Sequence, residues 1–242
     1  TFRAAMAVIL SLVISMVMGK RLINYLRMKQ IGETVRDLGL QGEATKRGTP
    51  TMGGLIIIAA ILIPTLLFAR VANVYIVLML VSTVWLGCVG FLDDYIKVFR
   101  KNKEGLAGKF KVMVQVGLGI IVGLTMYYNN HVVISREAAP GHSGAYNEAE
   151  KIEPGGSSRK DENGNMHEYV NVRTATTTIP FVKSHEFRYE KIAEIFGKQF
   201  VDVTTPIIYI LFVIFIIVAV SNGANITDGV DGLATGVSAI IC

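Results

Sequence analysis

The 242-residue sequence is poor in the residues that staple or punctuate a small secreted domain, with 2 cysteines, 6 prolines and 1 tryptophan. Both cysteines, Cys88 and Cys242, lie inside apolar runs, so no disulfide framework is encoded, and no Cys/His spacing suits a metal. Redox chemistry is disfavoured. Charge is scarce too: Asp, Glu, Lys and Arg make up 18% of the chain and come in blocks, where a soluble domain would carry about 25% spread over its surface. Apolar residues fill the gap at 51%, with a mean hydropathy of +0.46. That is the composition of a membrane protein. The net charge of +5 does not call for nucleic acid, because the basic residues cluster beside the ends of apolar segments, where anionic membrane lipid accounts for them.

Five complete or nearly complete spans are expected, Ala4–Met18, Thr51–Phe68, Val74–Leu92, Val112–Tyr128 and Val203–Val220, with a sixth begun at Leu233. Val74–Leu92 alone holds nineteen uncharged residues, about 28 Å at helical rise against a hydrocarbon core of roughly 30 Å. Backbone polar groups must be satisfied internally in lipid, so the expected fold is all-α, a polytopic transmembrane helix bundle. Pro64 predicts a kink and the Gly119/Gly123 pair a close helix crossing. Loops rich in Lys and Arg follow the first and third spans, which sets them in the cytoplasm and sets residues 129–202 outside, in a multi-pass membrane protein. The expected division is therefore 1–128 for four spans and their loops, 129–202 for an extracytoplasmic insert, and 203–242 for the rest.

The insert is the least informative part, with eleven acidic residues, nine basic ones and all four histidines, His131, His142, His167 and His185. Those histidines match no zinc spacing. Asp161, Asn163 and Asn165 loosely resemble a calcium loop, but Met166 stands where the loop needs glycine and Val172 where it needs glutamate. Asn163-Gly164 followed by Tyr169–Thr178 reads instead as a β-hairpin turn and strand, and Tyr189–Phe200 as a short amphipathic helix.

Three polar clusters are expected at cytoplasmic span ends. Ser221–Ala234, SNGANITDGVDGLA, places Asn222, Asn225, Asp228 and Asp231 three apart, along one face if helical. An aspartate near the bilayer centre costs about 2.5 to 3.5 kcal/mol, so these belong at a membrane edge or a wet cleft. A plainer reading makes Asp228 a helix cap. Lys46–Gly54, KRGTPTMGG, offers cations, hydroxyls and a glycine pair to a phosphate, or simply anchors a span beside a Thr49-Pro50 helix start. Asp93-Asp94, with Lys97 following, ends the third span; adjacent carboxylates repel, and a shared Mg²⁺ would relieve them. Aspartates amid lysines suit a Mg²⁺-bound nucleoside diphosphate.

Read together, GTPTMGG, GFLDDYIK, AGKFK and NITDGVDGLA, in this order, resemble the phospho-N-acetylmuramoyl-pentapeptide transferases, the bacterial branch of the polyprenyl-phosphate N-acetylhexosamine-1-phosphate transferase superfamily. The likeness covers most of the chain apart from the insert. It implies ten transmembrane helices in the whole protein, of which this N-terminal fragment supplies about half, with Mg²⁺ as cofactor. It implies transfer of phospho-MurNAc-pentapeptide from UDP-MurNAc-pentapeptide to undecaprenyl phosphate, giving lipid I and UMP. The resemblance makes Asp93 and Asp94 the paired catalytic acids and metal ligands, one of them deprotonating the lipid phosphate or acting as nucleophile. Lys97 and Lys109 would line the diphosphate path, Lys46 and Thr51 the nucleotide side, and Asn225, Asp228 and Asp231 the uridine pocket. A homodimer is compatible with it. The family's later Met-Gly-Asp stretch and His-rich loop do not occur in these 242 residues, so this stretch alone is expected to be inactive. Two alternatives stand beside it: a sibling transferase using UDP-GlcNAc, and a cation or proton transporter built on intramembrane aspartates.

Overall fold

The computed structural model describes residues 2–28, 52–100, 105–137, 151–160, 166–178, 186–228 and 232–241. The helices are α1 (Phe2–Met28), α2 (Gly54–Phe68), α3 (Val74–Phe99), α4 (Gly108–Tyr128), α5 (Tyr189–Ala193), α6 (Val201–Asp228) and α7 (Leu233–Ile241). The strands are β1 (Ile134–Glu137), β2 (Lys151–Lys160), β3 (Met166–Arg173), β4 (Thr176–Thr178) and β5 (Glu186–Arg188). The protein is all-α in class and polytopic, with its strands few and short. Two compact units meet in sequence at Leu118/Gly119, within α4.

Among the described residues, four helical stretches are long and apolar enough to cross a membrane: Phe2–Leu26, Val74–Phe99, Gly108–Tyr128 and Lys198–Asp228. The second expected span is the exception. Its described helix, α2, has 15 residues, about 22 Å at helical rise and short of a full crossing. The long helices present apolar side chains outward, as Val8, Ile9 and Leu12 do on α1 and Leu211 and Phe215 on α6, while few large side chains are fully buried. Such a surface is stable in lipid and a liability in water.

In the first unit α1 packs on α2, bringing Gly19 against Ile56, and α2 packs on α3, bringing Ile58 against Gly87. Asn73 caps α3 by accepting a hydrogen bond from the Tyr75 amide at 2.9 Å, which stops the chain turning helical any earlier. Trp85 Nε1 donates to the Val114 carbonyl at 3.1 Å and fixes the register of α3 on α4.

In the second unit the expected glycine crossing is present. A Cβ on Gly119 would stand 2.8 Å from the Ile214 backbone, and one on Gly123 would stand 3.3 Å from Ile210. Bare glycine is what lets the two helices touch. Gly119→Ala must push α6 backbone away and should cost about 1–3 kcal/mol. A lowered midpoint of thermal unfolding in detergent would register it, and an unchanged midpoint would show that the crossing yields freely.

The small sheet has strand order β1-β3-β2, all antiparallel, with Lys160 opposite Met166. The expected hairpin is framed by β2 and β3, while its turn residues Asn163-Gly164 lie outside the described residues. Two expectations need correcting. The predicted strand Tyr169–Thr178 is broken after Arg173, and β2 went unforeseen because Pro154-Gly155-Gly156 argues against a strand. It is tolerated because β2 is an edge strand whose register shifts between Glu153 and Ser157, where proline's missing N–H costs no ladder bond. Likewise, Tyr189–Phe200 is helical only to Ala193, then continues as two 3₁₀ turns hinged at Gly197, whose φ is +118°. Arg173 ties this sheet to the end of α4 through the Tyr127 carbonyl and Asn130, both at 2.8 Å.

Candidate functional site

The best-formed polar constellation among the described residues lies in the last two turns of α3. Asp93 is only 8% exposed, and a buried carboxylate needs partners. It has three. Its Oδ2 meets Lys97 Nζ at 2.7 Å, an i,i+4 pair with the acid placed N-terminal to the base, the better orientation on a helix. Its Oδ1 accepts from Lys111 Nζ at 2.9 Å and from the Leu106 amide at 2.7 Å. One carboxylate against two ammonium groups leaves the cluster with one surplus positive charge.

Lys111 arrives on the face of α4 that also carries Gln115 and Leu118, four and seven residues on, both buried. Lys109 lies two residues earlier, about 200° around the helix, and is exposed, with no ion-pair partner among the described residues. The chain reaches α4 through Gly105, whose φ is +69° and whose backbone passes directly over the Asp93–Lys97 pair. An apolar cavity of about 570 Å³ in the same unit is lined by Leu66, Val81, Trp85, Leu92, Phe110 and Val114 among others, and by none of the charged residues of the cluster.

Sequence reasoning placed Lys97 in the same cluster as Asp93 but paired Asp93 with Asp94, and it passed over the ion pair to Lys97 and the geometric roles of Lys111, Gly105 and the Leu106 amide. The signal for Lys111 was available in its helical spacing to Gln115 and Leu118. Nothing in sequence marks Gly105 as a left-handed residue. Asp94 is half-buried beside Asp93. The expected shared Mg²⁺ does not fit Asp93 as arranged: both oxygens already receive donors, and a divalent cation there would face two ammonium groups. Among the described residues no group of three His, Cys, Asp or Glu side chains comes together.

In the second unit, helix α6 runs without a break from the apolar stretch through Asp228, so Asn222, Asn225 and Asp228 share a helical face. Asn222 Nδ2 donates to the Val218 carbonyl at 2.8 Å, which gives that residue a structural task. Asn225 and Asp228 are exposed. Asp228 closes α6 rather than capping a helix start, and the dipole disfavours a carboxylate at that end. Lys46, Thr51 and Asp231 lie outside the described residues.

Comparison with known proteins follows the same motifs. Residues 169–242 match the glycosyl transferase family 4 profile, and residues 46–58 match the phospho-N-acetylmuramoyl-pentapeptide-transferase signature 1. The chain belongs to glycosyl transferase family 4. Within it, the chain is similar to proteins named phospho-N-acetylmuramoyl-pentapeptide-transferase. That of Parabacteroides distasonis is 50% identical over 241 residues, covering 100% of this chain and 54% of the relative. That of Flavobacterium johnsoniae is 50% identical over 240 residues, covering 99% and 55%, and that of Porphyromonas gingivalis W83 50% over 241, covering 100% and 54%. The chain spans about half the length of these curated relatives.

Proposed function

We propose that the full-length protein transfers phospho-MurNAc-pentapeptide from its UDP carrier to undecaprenyl phosphate, giving lipid I and UMP, at the cytoplasmic face of the inner membrane. The observation that carries this reading is the Asp93–Lys97–Lys111 cluster, a net-cationic group at the end of an apolar helix, in a chain half of whose residues are shared with relatives so named. A phosphate oxygen of the lipid attacks the sugar-linked phosphorus, the bond to the UMP oxygen breaks, and UMP leaves. One diphosphate linkage replaces another, so no outside energy source is required. Catalysis is then a matter of holding attacker and leaving group in line while neutralising their charge.

Lys97 and Lys111 supply positive charge at fixed positions, and Asp93 orients both ammonium groups and accepts the lipid phosphate's proton. Lys109, exposed on α4, is assigned to the diphosphate as it arrives. Lys46 and Thr51 are assigned to the nucleotide, and Asn225, Asp228 and Asp231 to its uridine. Mg²⁺, when bound, would further neutralise the diphosphate; Asp94 is the member of the acidic pair assigned to it. The parts 1–128, 129–202 and 203–242 are proposed to serve as catalytic spans, outer insert and nucleotide-site span.

Turnover decides the reading. Full-length protein in lipid nanodiscs with undecaprenyl phosphate should release UMP from UDP-MurNAc-pentapeptide and not from UDP-GlcNAc, and should stop with EDTA. Release from UDP-GlcNAc alone would make it the sibling transferase. Asp228→Ala should raise the dissociation constant for the uridine nucleotide about tenfold, the value of roughly one charge-assisted hydrogen bond. An unchanged affinity in titration calorimetry would place the uridine elsewhere.

A further inference from the structure

Gly105 is the feature of the cluster that neither the motifs nor the proposed chemistry uses. It is buried, and its φ of +69° lies in the left-handed region that residues with a side chain adopt reluctantly. A Cβ built on it would stand 2.5 Å from Asp93 Oδ1 and 2.6 Å from Lys97 Cε. The next residue, Leu106, gives its amide to that same Oδ1 at 2.7 Å. Three residues later, Gly108 has nothing within 4 Å of its own Cβ position. The close approach therefore belongs to Gly105 and is not general to glycines of this stretch.

We propose that Gly105 is a positioning residue, whose left-handed, side-chain-free backbone locks the Asp93 carboxylate between Lys97 and Lys111. The left-handed turn points the Leu106 amide at Oδ1, and the missing side chain leaves room for the carboxylate to sit against the backbone. With Oδ1 held by the amide, the remaining acceptor directions of the carboxylate are set. Lys97 and Lys111 take two of them, from two different helices, and leave one. Without Gly105 the ion pairs could still form, but at no single geometry.

Substitution by alanine should leave the protein folded, because the atoms its Cβ would strike are the ends of flexible side chains rather than backbone. What must move is the pair itself. The test is made on full-length protein in nanodiscs. Competitive lysine acylation read by mass spectrometry reports on the ion pairs directly, with exposed Lys109 as internal reference. In the wild type Lys111 should be labelled about fivefold more slowly than Lys109, as for an ammonium group hydrogen-bonded to a buried carboxylate. Gly105→Ala should bring the Lys111 to Lys109 ratio close to one, whereas Gly108→Ala should leave it at the wild-type value. Turnover, which rests on the function proposed above, should fall about tenfold in kcat with little change in KM, the pattern of an interaction made chiefly in the transition state.

An unchanged labelling ratio in Gly105→Ala overturns the proposal, as does an equal loss in Gly108→Ala. Equal labelling of Lys109 and Lys111 in the wild type overturns it even if the variant cannot be made. Because the labelling needs no substrate, a failed transferase assay with the expected labelling would count against the proposed reaction and leave the role of Gly105 standing.

Discussion

Asp93→Asn in the full-length protein is expected to lower turnover by about 10²- to 10⁴-fold, the range associated with losing a group that moves a proton in the transition state. Two effects combine in that loss. The amide cannot take the proton of the incoming lipid phosphate, and it no longer balances the charge of Lys97 and Lys111, which stand 2.7 and 2.9 Å from the carboxylate oxygens. Asparagine keeps the shape of aspartate and can still accept from the Leu106 amide, so the loop into α4 should stay in place. Expression and thermal midpoint should therefore change little, and the defect should appear in kcat measured as UMP release. Asp94→Asn should also be inactive, but with a different signature: its activity should recover in part at raised Mg²⁺, whereas that of Asp93→Asn should not. Wild-type turnover in Asp93→Asn would remove the cluster from the chemistry. Recovery of Asp93→Asn with Mg²⁺ would return that residue to the metal.

Much of the architecture was legible in the sequence because membrane helices announce themselves by length and hydropathy alone. The third, fourth and fifth spans sit inside α3, α4 and α6, and the glycine pair on α4 meets its neighbour where small residues were expected to allow it. The helix ends were less legible. α6 passes eight residues beyond Val220 to Asp228, since Asn222 spends its side chain on the helix backbone instead of breaking it. The strand β2 was hidden by Pro154, whose usual meaning is reversed at a sheet edge. In the candidate site, Asp93 and Lys97 could be paired on spacing alone because both lie on one helix. Lys111 and the Leu106 amide come from beyond a turn. Which of two nearby lysines faces a neighbouring helix depends on rotation about the α4 axis, and a turn's handedness at Gly105 depends on what the chain must pass over. Neither is written in a local pattern.

That rotation gives the second large effect, a division of labour between two lysines that a motif alone would treat as one. Lys111→Ala should lower kcat about 10²- to 10³-fold, the scale for removing one preorganised electrostatic donor. It also leaves the buried Asp93 with a single ammonium partner. Lys109→Ala should instead raise KM for the UDP-sugar about tenfold with kcat nearly unchanged, because an exposed lysine meeting the diphosphate binds ground state and transition state alike. Steady-state kinetics of the two variants on the full-length protein separates the outcomes. A kcat defect at Lys109 with none at Lys111 would mean that the Asp93–Lys111 contact is a helix fastener and that the reactive phosphates lie on the exposed side of α4. Arginine at position 111 sharpens the comparison. It keeps the charge, but its planar fork cannot take the place of a compact ammonium group sharing Oδ1 with a backbone amide. Lys111→Arg should thus remain well below wild type, whereas Lys109→Arg, free of any such constraint, should restore most of the lost affinity.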